Sequence, residues 1–111
     1  MKDGRTALLR ACVLGLLNLV LLLVGHGANV NAETQRGRPV HAATNKNRPH
    51  IIEWLAQHCA RLNVVSATYE HLLLIAVRRG YEEVAKTLLL NGIDLNAREI
   101  KEITPQALHQ L

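Results

Sequence analysis

Aromatic residues are nearly missing from this chain of 111 residues, which has no Phe, one Trp and two Tyr. Its core must therefore be filled mainly by leucine, valine, isoleucine and alanine, which suit small, closely packed helices. The shortage also counts against nucleic-acid binding, because bases stack on aromatic side chains. A formal net charge of +4 is too modest to change that expectation.

Cysteine is scarce as well, and Cys12 and Cys59 are too few for the disulfide framework of a small secreted protein. We expect both to be free thiols in a reducing compartment, the cytoplasm or the nucleus. The motifs GxSxG, GxGxxG and HExxH and the P-loop are all absent from the sequence. We therefore expect neither catalysis nor a cofactor.

The histidines offer one arrangement with the chemistry of a metal site, in which His50 and His58 would act with Cys59. The two histidines are eight residues apart, and a helix through this segment would separate their side chains. We expect no metal, and a metal-binding or enzymatic protein remains an alternative.

A long hydrophobic run is missing too. The stretch 11–24 is apolar apart from one Gly and one Asn, but it is too short to cross a bilayer as a helix. With Lys2, Arg5 and Arg10 ahead of it, the stretch resembles a signal peptide, and the tripeptide 30–32 would be its cleavage site. Because the same residues keep step with two later copies of their pattern, we interpret them as a helix pair and keep the signal peptide as an alternative.

The chain contains this pattern three times. LLVGHGANVNA at 22–32 returns as WLAQHCARLNV at 54–64 and as TLLLNGIDLNA at 87–97, in steps of 32 and 33 residues. Such a repeat indicates a helical unit copied in tandem, with each copy burying its apolar face against the next. We predict one all-α domain over 1–111, a helix-turn-helix solenoid with repeats at 1–32, 33–65 and 66–98 and a partial repeat at 99–111. That tail is a truncated cap or the point where a longer or engineered protein was cut.

Each unit is predicted to hold an inner and an outer helix. They run over 7–14 and 18–24 in the first repeat and over 72–77 and 82–90 in the third. In the second repeat Pro39 and Pro49 start them, because a missing N–H costs nothing in the first turn. The residues expected to end the helices in a left-handed conformation are Gly15, Asn47 and Gly80 for the inner helices and Gly27 and Gly92 for the outer helices. The second outer helix departs from this pattern, with Cys59 in place of the glycine, and Cys59 carries strain of about 1 kcal/mol if the left-handed geometry is kept there.

Residue types also predict local contacts. Thr6 is expected to cap the first inner helix, and Glu82 and Lys86 are expected to pair because they are four residues apart in the favourable order. The residues expected on the buried side of the first outer helix are Leu19, Val20, Leu22 and Leu23.

These features resemble the ankyrin repeat, whose unit is about 33 residues long. The residues that carry the resemblance are Gly4, Thr6, Leu8, Ala11, Gly15, Val20, Leu22, Leu23, Gly27, Ala28, Asn31 and Ala32; Pro39, His41, Ala43, Ile51, Ile52, Leu55, Ala60 and Asn63; Ala76, Gly80, Val84, Leu88, Leu89, Gly92 and Asn96; and Thr104 and Pro105. It implies that His41 hydrogen-bonds the turns. Where the family has Thr-Pro, the third repeat has His71 and Leu72, so its inner helix is expected to start without a good cap.

The resemblance implies a non-catalytic module that binds a partner protein through a concave face of turn tips and inner helices. The partner-binding positions it implies are Arg5, Val13, Leu14, Thr34, Gln35, Asn45, Lys46, Thr68, Glu70, Arg78 and Arg79. The three cations Lys46, Arg78 and Arg79, called the basic strip below, suit an acidic segment because Arg forks onto carboxylates. In the alternative interpretation, Arg78 and Arg79 only solvate a helix end and favour its dipole.

Within the family, the stretches 38–41 and 59–64 resemble ankyrin-type inhibitors of cyclin-dependent kinases, so a specific regulator of that kind is the alternative function. The first repeat also carries apolar residues beyond its expected buried set: Leu14, Leu16, Leu17, Leu21 and Val24. Since terminal repeats normally have a polar outer face, either a preceding repeat is missing, or the patch is an interface, or the chain associates with itself.

Overall fold

The computed structural model describes residues 4–62 and 71–93, and within these ranges the regular structure is helical. The helices are α1 (Gly4–Leu14), α2 (Leu17–Gly25), α3 (Pro39–Asn45), α4 (Pro49–Gln57), α5 (Leu72–Arg79) and α6 (Glu82–Leu90). Each inner helix packs against the outer helix that follows it, and neighbouring inner helices and neighbouring outer helices also pack together. The chain is therefore a stack of helix pairs, and the predicted all-α solenoid is confirmed.

Left-handed residues end the helices as predicted. Gly15, Asn47 and Gly80 have φ of +77°, +59° and +72° after the inner helices. Gly27, Cys59 and Gly92 have φ of +103°, +71° and +86° after the outer helices. Cys59 therefore keeps the left-handed geometry of its glycine counterparts, and its Cβ makes that geometry strained.

Both prolines begin their helices as predicted, and the caps differ from expectation in two places. Helix α1 begins at Gly4, so Thr6 lies inside its first turn and is not the cap residue. His71 does cap α5, because its Nδ1 accepts a hydrogen bond of 3.3 Å from the backbone N–H of Leu73. The histidine ring thus caps the helix, as a Thr hydroxyl would.

Two further side-chain predictions have clear outcomes. His41 contacts its turn as expected, since its Nδ1 accepts a hydrogen bond of 3.3 Å from the N–H of Arg38. Lys86 lies 3.7 Å from Glu83, one turn away, instead of pairing with Glu82 as predicted. Both acidic residues sit in the first turn of α6, where the helix dipole favours them equally.

The core is a continuous aliphatic layer between the inner and outer helices. Its fully buried large side chains are Leu8, Val20, Val40, Ile52, Leu55, Leu72, Leu73, Ile75, Val84 and Leu88. Cys12, Ala43 and Ala76 fill the close approaches between helices. The expected scarcity of aromatic core residues holds in the part that the structure describes, where Trp54 and Tyr81 are only partly buried.

The predicted buried side of the first outer helix is wrong in part. Val20 is buried and Leu23 is partly buried against the core, but Leu19 and Leu22 are exposed. Leu17 and Val24, which were counted as surplus, pack against the core instead. The first outer helix has a neighbouring helix pair on one side only within 4–62, so its second apolar side stays uncovered.

Some predictions fall on residues outside the described ranges. These are the repeat-closing Asn63 and Asn96, the partner-binding Thr68 and Glu70, and the partial repeat at 99–111. The division of the chain into repeats at these boundaries stays a prediction.

Candidate partner-binding surface

Three residues of the predicted surface occupy the same position in successive repeats. Leu14 ends α1, Lys46 follows the last residue of α3, and Arg79 ends α5. All three are exposed, and Arg78, one residue before Arg79, is exposed too. The inner helices therefore carry a row along their carboxyl ends, with an apolar residue at one end and cations in the middle and at the other end.

The two layers of helices differ in their acidic residues, although the outer layer also carries the cation Lys86. Helices α1, α3 and α5 contain no Asp or Glu. The acidic residues of the described ranges are Glu33, in the connection before α3, and Glu53, Glu82 and Glu83, on α4 and α6. The basic strip thus lies at the ends of helices that carry no carboxylate of their own.

The helix dipole accounts for part of this charge pattern. The carboxyl end of a helix carries a partial negative charge, and Arg78 and Arg79 lie in the last turn of α5. Lys46 follows α3 in the same way, with its backbone N–H bonded to the carbonyl of Ala42. Stabilising a helix end and binding an acidic partner are compatible, because an exposed cation at a helix terminus keeps most of its hydration.

The turn before α3 forms a small hairpin tip. Thr34 and Gly37 exchange backbone hydrogen bonds of 3.1 and 3.0 Å. The Thr34 hydroxyl donates to the Gly37 carbonyl at 2.8 Å and accepts from the Arg36 N–H at 3.1 Å. Thr34 is therefore a residue that stabilises the tip, whereas the neighbouring Gln35 is exposed.

An arginine bridges the first and second repeats beneath the row. Arg48 donates to the carbonyl of Val13 from Nη2 at 3.2 Å and from Nε at 3.4 Å. Its guanidinium also covers Gly15, because a Cβ added there would lie 2.8 Å from the Arg48 Cζ. Val13 and its counterpart Asn45 are only half-exposed, so the outer part of the row is formed by Leu14 and Lys46.

Neither Arg48 nor a second bridge, made by Asn31, was predicted from the sequence. The Asn31 Nδ2 donates to the Cys59 carbonyl at 2.9 Å, and its Oδ1 accepts from the Arg61 N–H at 2.8 Å. The recurrence of Asn at 31, 63 and 96 was the available signal for this bridge. No sequence pattern marked Arg48, because its two counterparts are Leu16 and Tyr81.

The contacts of His50, His58 and Cys59 do not support the alternative in which they form a metal site. The His58 ring stacks on Trp54 with centroids 3.8 Å apart, and its Nδ1 lies 2.8 Å from the Trp54 carbonyl. Across 4–62 and 71–93, no group of three or more His, Cys, Asp or Glu side chains is arranged to hold a metal ion. The two cysteines also differ in character: Cys59 is exposed, whereas burial raises the pKa of the Cys12 thiol to about 12.

The described residues also bear on the membrane question. None of the helices within them has the length and apolar content needed to cross a bilayer.

The backbone of Arg5, a predicted partner-binding residue, lies in the first turn of α1, and its side chain is not among the described parts of the chain.

Stacked helix pairs, left-handed turn residues at fixed positions and a hairpin tip between units define a helical repeat protein. The comparison with family models agrees: a model of three ankyrin repeats matches residues 31–99, and a model of the single ankyrin repeat matches residues 3–35. The chain belongs to the ankyrin repeat family. Ankyrin repeats act as protein–protein interaction modules, and membership places this chain in that functional class.

Similar proteins come from several animals. The NF-kappa-B inhibitor cactus of Drosophila melanogaster is 35% identical over 72 residues, which is 63% of this chain and 14% of that protein. Rabankyrin-5 of Mus musculus is 43% identical over 58 residues, 51% of this chain and 5% of the relative. Alpha-latroinsectotoxin-Lt1a of Latrodectus tredecimguttatus is 28% identical over 90 residues, 80% of this chain and 6% of the toxin. The chain thus spans only a small part of the curated relatives that it matches.

Proposed function

We propose that this chain is a non-catalytic interaction module whose basic strip binds an acidic segment of a partner protein. The observation that carries the proposal is the row of exposed cations at equivalent helix ends, with Lys46 directly after α3 and Arg79 at the end of α5, on helices that contain no carboxylate. Leu14 adds an apolar contact at one end of the row. The partner segment is therefore expected to combine Asp or Glu with at least one apolar side chain.

Energetics favour several cooperating contacts over one strong ion pair. A single exposed ion pair contributes only about 0–1 kcal/mol. Arginine improves on this when its guanidinium binds a carboxylate through two parallel hydrogen bonds. Burial of Leu14 against an apolar side chain supplies a term that salt does not screen. Binding should therefore weaken, without vanishing, as the salt concentration rises.

The experiment uses a synthetic peptide of leucine and glutamate, with a peptide of leucine and lysine of equal length as its counterpart. We expect the glutamate peptide to bind and the lysine peptide to fail. Reversing Lys46 and Arg79 together to Glu should abolish binding of the glutamate peptide, because these two cations occupy the same position in adjacent repeats.

A control variant reverses Arg61 and Lys86 to Glu. It makes the same change in net charge at exposed positions outside the inner helices, and it should bind as the unmodified chain does. Helical circular dichroism checks the fold of both variants. Unchanged binding in the variant with Lys46 and Arg79 reversed, with the helical signal retained, would refute the strip as the binding surface.

A narrower alternative is that the module is a specific regulator, such as an inhibitor of a cyclin-dependent kinase. The relative whose name describes it as an inhibitor, the NF-kappa-B inhibitor cactus, supports an inhibitory role for repeats of this kind. Activity of a cyclin-dependent kinase measured with and without the chain tests the kinase version directly. No loss of kinase activity at saturating chain leaves the general binding role as the function.

The cellular setting proposed for this module is the cytoplasm or the nucleus, where the free thiols Cys12 and Cys59 would stay reduced. Imaging of a fluorescent fusion in cells tests the location. Nucleic acid and membranes are not proposed as partners. Self-association through the leucine-rich first repeat would use a different surface from the basic strip, so binding of an acidic partner does not depend on it.

A further inference from the structure

The row formed by Leu14, Lys46 and Arg79 has a regular interval. These residues hold equivalent positions at the carboxyl ends of α1, α3 and α5. Neighbouring inner helices pack against each other, α1 on α3 and α3 on α5. The axes of packed helices lie about 8–10 Å apart, so equivalent residues of successive repeats are separated by about that distance. A ligand that meets all three residues therefore needs one contact group in each such interval.

Packed neighbours hold the helix ends that carry the row. Arg48 donates from Nη2 to the Val13 carbonyl at 3.2 Å, which ties the end of α1 to the start of α4 in the next repeat. Its counterpart in the third repeat is Tyr81, which follows Gly80 at the end of α5 and packs against the core. The row is thus formed before a partner arrives, and most of the ordering cost of binding falls on the partner segment.

The chemistry of the row is graded from one end to the other. The first repeat presents Leu14, which is 52% exposed. The second repeat presents the cation Lys46, and the third presents Arg79 beside the equally exposed Arg78. The order is therefore one apolar residue, then one cation, then two. A matching segment has its apolar side chain at one end and carboxylates in the middle and at the other end.

The interval of the row distinguishes between regular backbone conformations of the partner. Along a β-strand, side chains on one face recur about every 6.6 Å, or about every 13 Å if one is skipped, and neither distance matches. The polyproline II helix has three residues per turn and a rise of 3.1 Å, so side chains on one side recur about every 9 Å. This conformation places three contacts on the row with only about seven residues.

An α-helix also returns to the same face at a suitable distance, about 10.5 Å after seven residues. It would need about 15 residues to reach all three positions, and an isolated helix of that length is only marginally stable in water. A short segment in the polyproline II conformation meets the same contacts with half the residues to order. The interval and the cost of ordering together favour the polyproline II segment.

We propose that the row binds a partner segment in the polyproline II conformation, with an apolar side chain on Leu14 and carboxylates on Lys46 and Arg79, spaced three residues apart. The inference rests on the proposed function, because it specifies the acidic segment that the basic strip binds. The residues between the contacts point away from the row. Proline is therefore accepted there, and its fixed φ favours the bound conformation.

Capped peptides of identical composition test the interval. Leu-Pro-Pro-Glu-Pro-Pro-Glu and its reverse, Glu-Pro-Pro-Glu-Pro-Pro-Leu, place the contacts three residues apart in the two chain directions. Leu-Pro-Glu-Pro-Glu-Pro-Pro places them two apart with the same net charge. We expect one of the first two to bind the full chain at least about fivefold more tightly than the third, because the shorter interval leaves one contact unmade. Titration followed by nuclear magnetic resonance measures such weak binding.

Exchange of charges tests which residue meets which carboxylate. Arg79→Glu should lose the peptide and regain it when Lys replaces the Glu farthest from the leucine. Lys46→Glu should regain it when Lys replaces the middle Glu. The matched control is Lys86→Glu, which makes the same charge change at an exposed position on α6, outside the row, and should bind the original peptide unchanged. Helical circular dichroism checks the fold of each variant.

The outcomes separate this inference from the proposed function. Equal binding at intervals of two and three would overturn the interval, and rescue of either variant by either lysine peptide would overturn the assignment of contacts. Tighter binding of a 15-residue alanine-based peptide, with its leucine and two glutamates seven residues apart, would replace the polyproline II segment with a helix. If the leucine–glutamate peptide of the proposed function binds while both interval-three peptides fail, the inference falls and the proposed function stands. If no acidic peptide binds, both fall.

Discussion

At the scale of single residues, Cys59 shows how the backbone constrains a repeat sequence. It stands where the other repeats have Gly27 and Gly92, and it adopts their left-handed conformation with φ of +71°. A side chain with a Cβ is disfavoured there by about 1–2 kcal/mol. The repeat tolerates the strain because neighbouring contacts hold the turn, among them the bond from Asn31 to the Cys59 carbonyl.

We predict that Cys59→Gly raises the free energy of unfolding by about 0.5–1 kcal/mol, since the gain from relieved strain exceeds the extra backbone entropy lost by glycine. Chemical denaturation measures the change. Cys59→Ala is the control, because it keeps the Cβ and the strain and should leave stability unchanged. A gain of equal size in the alanine variant would show that the thiol, and not the backbone, is the source of the strain.

The two thiols should react very differently in the folded chain. Burial raises the pKa of Cys12 to about 12 from an ordinary value of 9.0, so its reactive thiolate is not formed at neutral pH. We predict that an aromatic disulfide reagent modifies Cys59 alone in the native chain and both cysteines after denaturation. Rapid modification of Cys12 in the native chain would contradict its placement in the core.

The same shift has a consequence for stability. The unfolded thiol of Cys12 loses its proton near 9.0, whereas the folded thiol keeps it up to about 12. Below this window both states are protonated, and the contribution of Cys12 does not change with pH. Within the window the unfolded state loses protons first, so this contribution to the free energy of unfolding falls as the pH rises.

At the scale of elements, the helix ends were the easiest feature to predict from the sequence. Glycine, asparagine and proline act locally, so the ends at Gly15, Asn47 and Gly80 and the starts at Pro39 and Pro49 follow from residue type alone. The predictions failed where contacts with neighbouring residues or helices determine the outcome. Lys86 has two acceptors within one turn, and the exposed side of α2 depends on which repeat packs beside it.

The loop between α1 and α2 provides a test of how the first two repeats are joined. Gly15 and Gly80 have nearly the same φ, +77° and +72°, but only Gly15 lies under a neighbouring side chain, the guanidinium of Arg48. We predict that Gly80→Ala costs about 1–2 kcal/mol through backbone strain alone. Gly15→Ala should cost about 1 kcal/mol more, because it displaces Arg48 from the Val13 carbonyl.

Thermal or chemical unfolding of both variants measures that difference. In a background of Arg48→Ala the extra cost at Gly15 should disappear, since no guanidinium remains to be displaced. An extra cost that persists without Arg48 would place its cause in the backbone of the α1–α2 loop.

At the scale of the whole molecule, the sequence predicts the candidate surface better than it predicts its internal order. The repeat period aligns Leu14, Lys46 and Arg79, and the structure places them at equivalent helix ends. The absence of carboxylates from the inner helices α1, α3 and α5 became clear only once the helices were assigned to layers. The structural role of Thr34 could not be predicted from its place in the repeat, because the hydrogen bonds of its hydroxyl depend on the geometry of the tip.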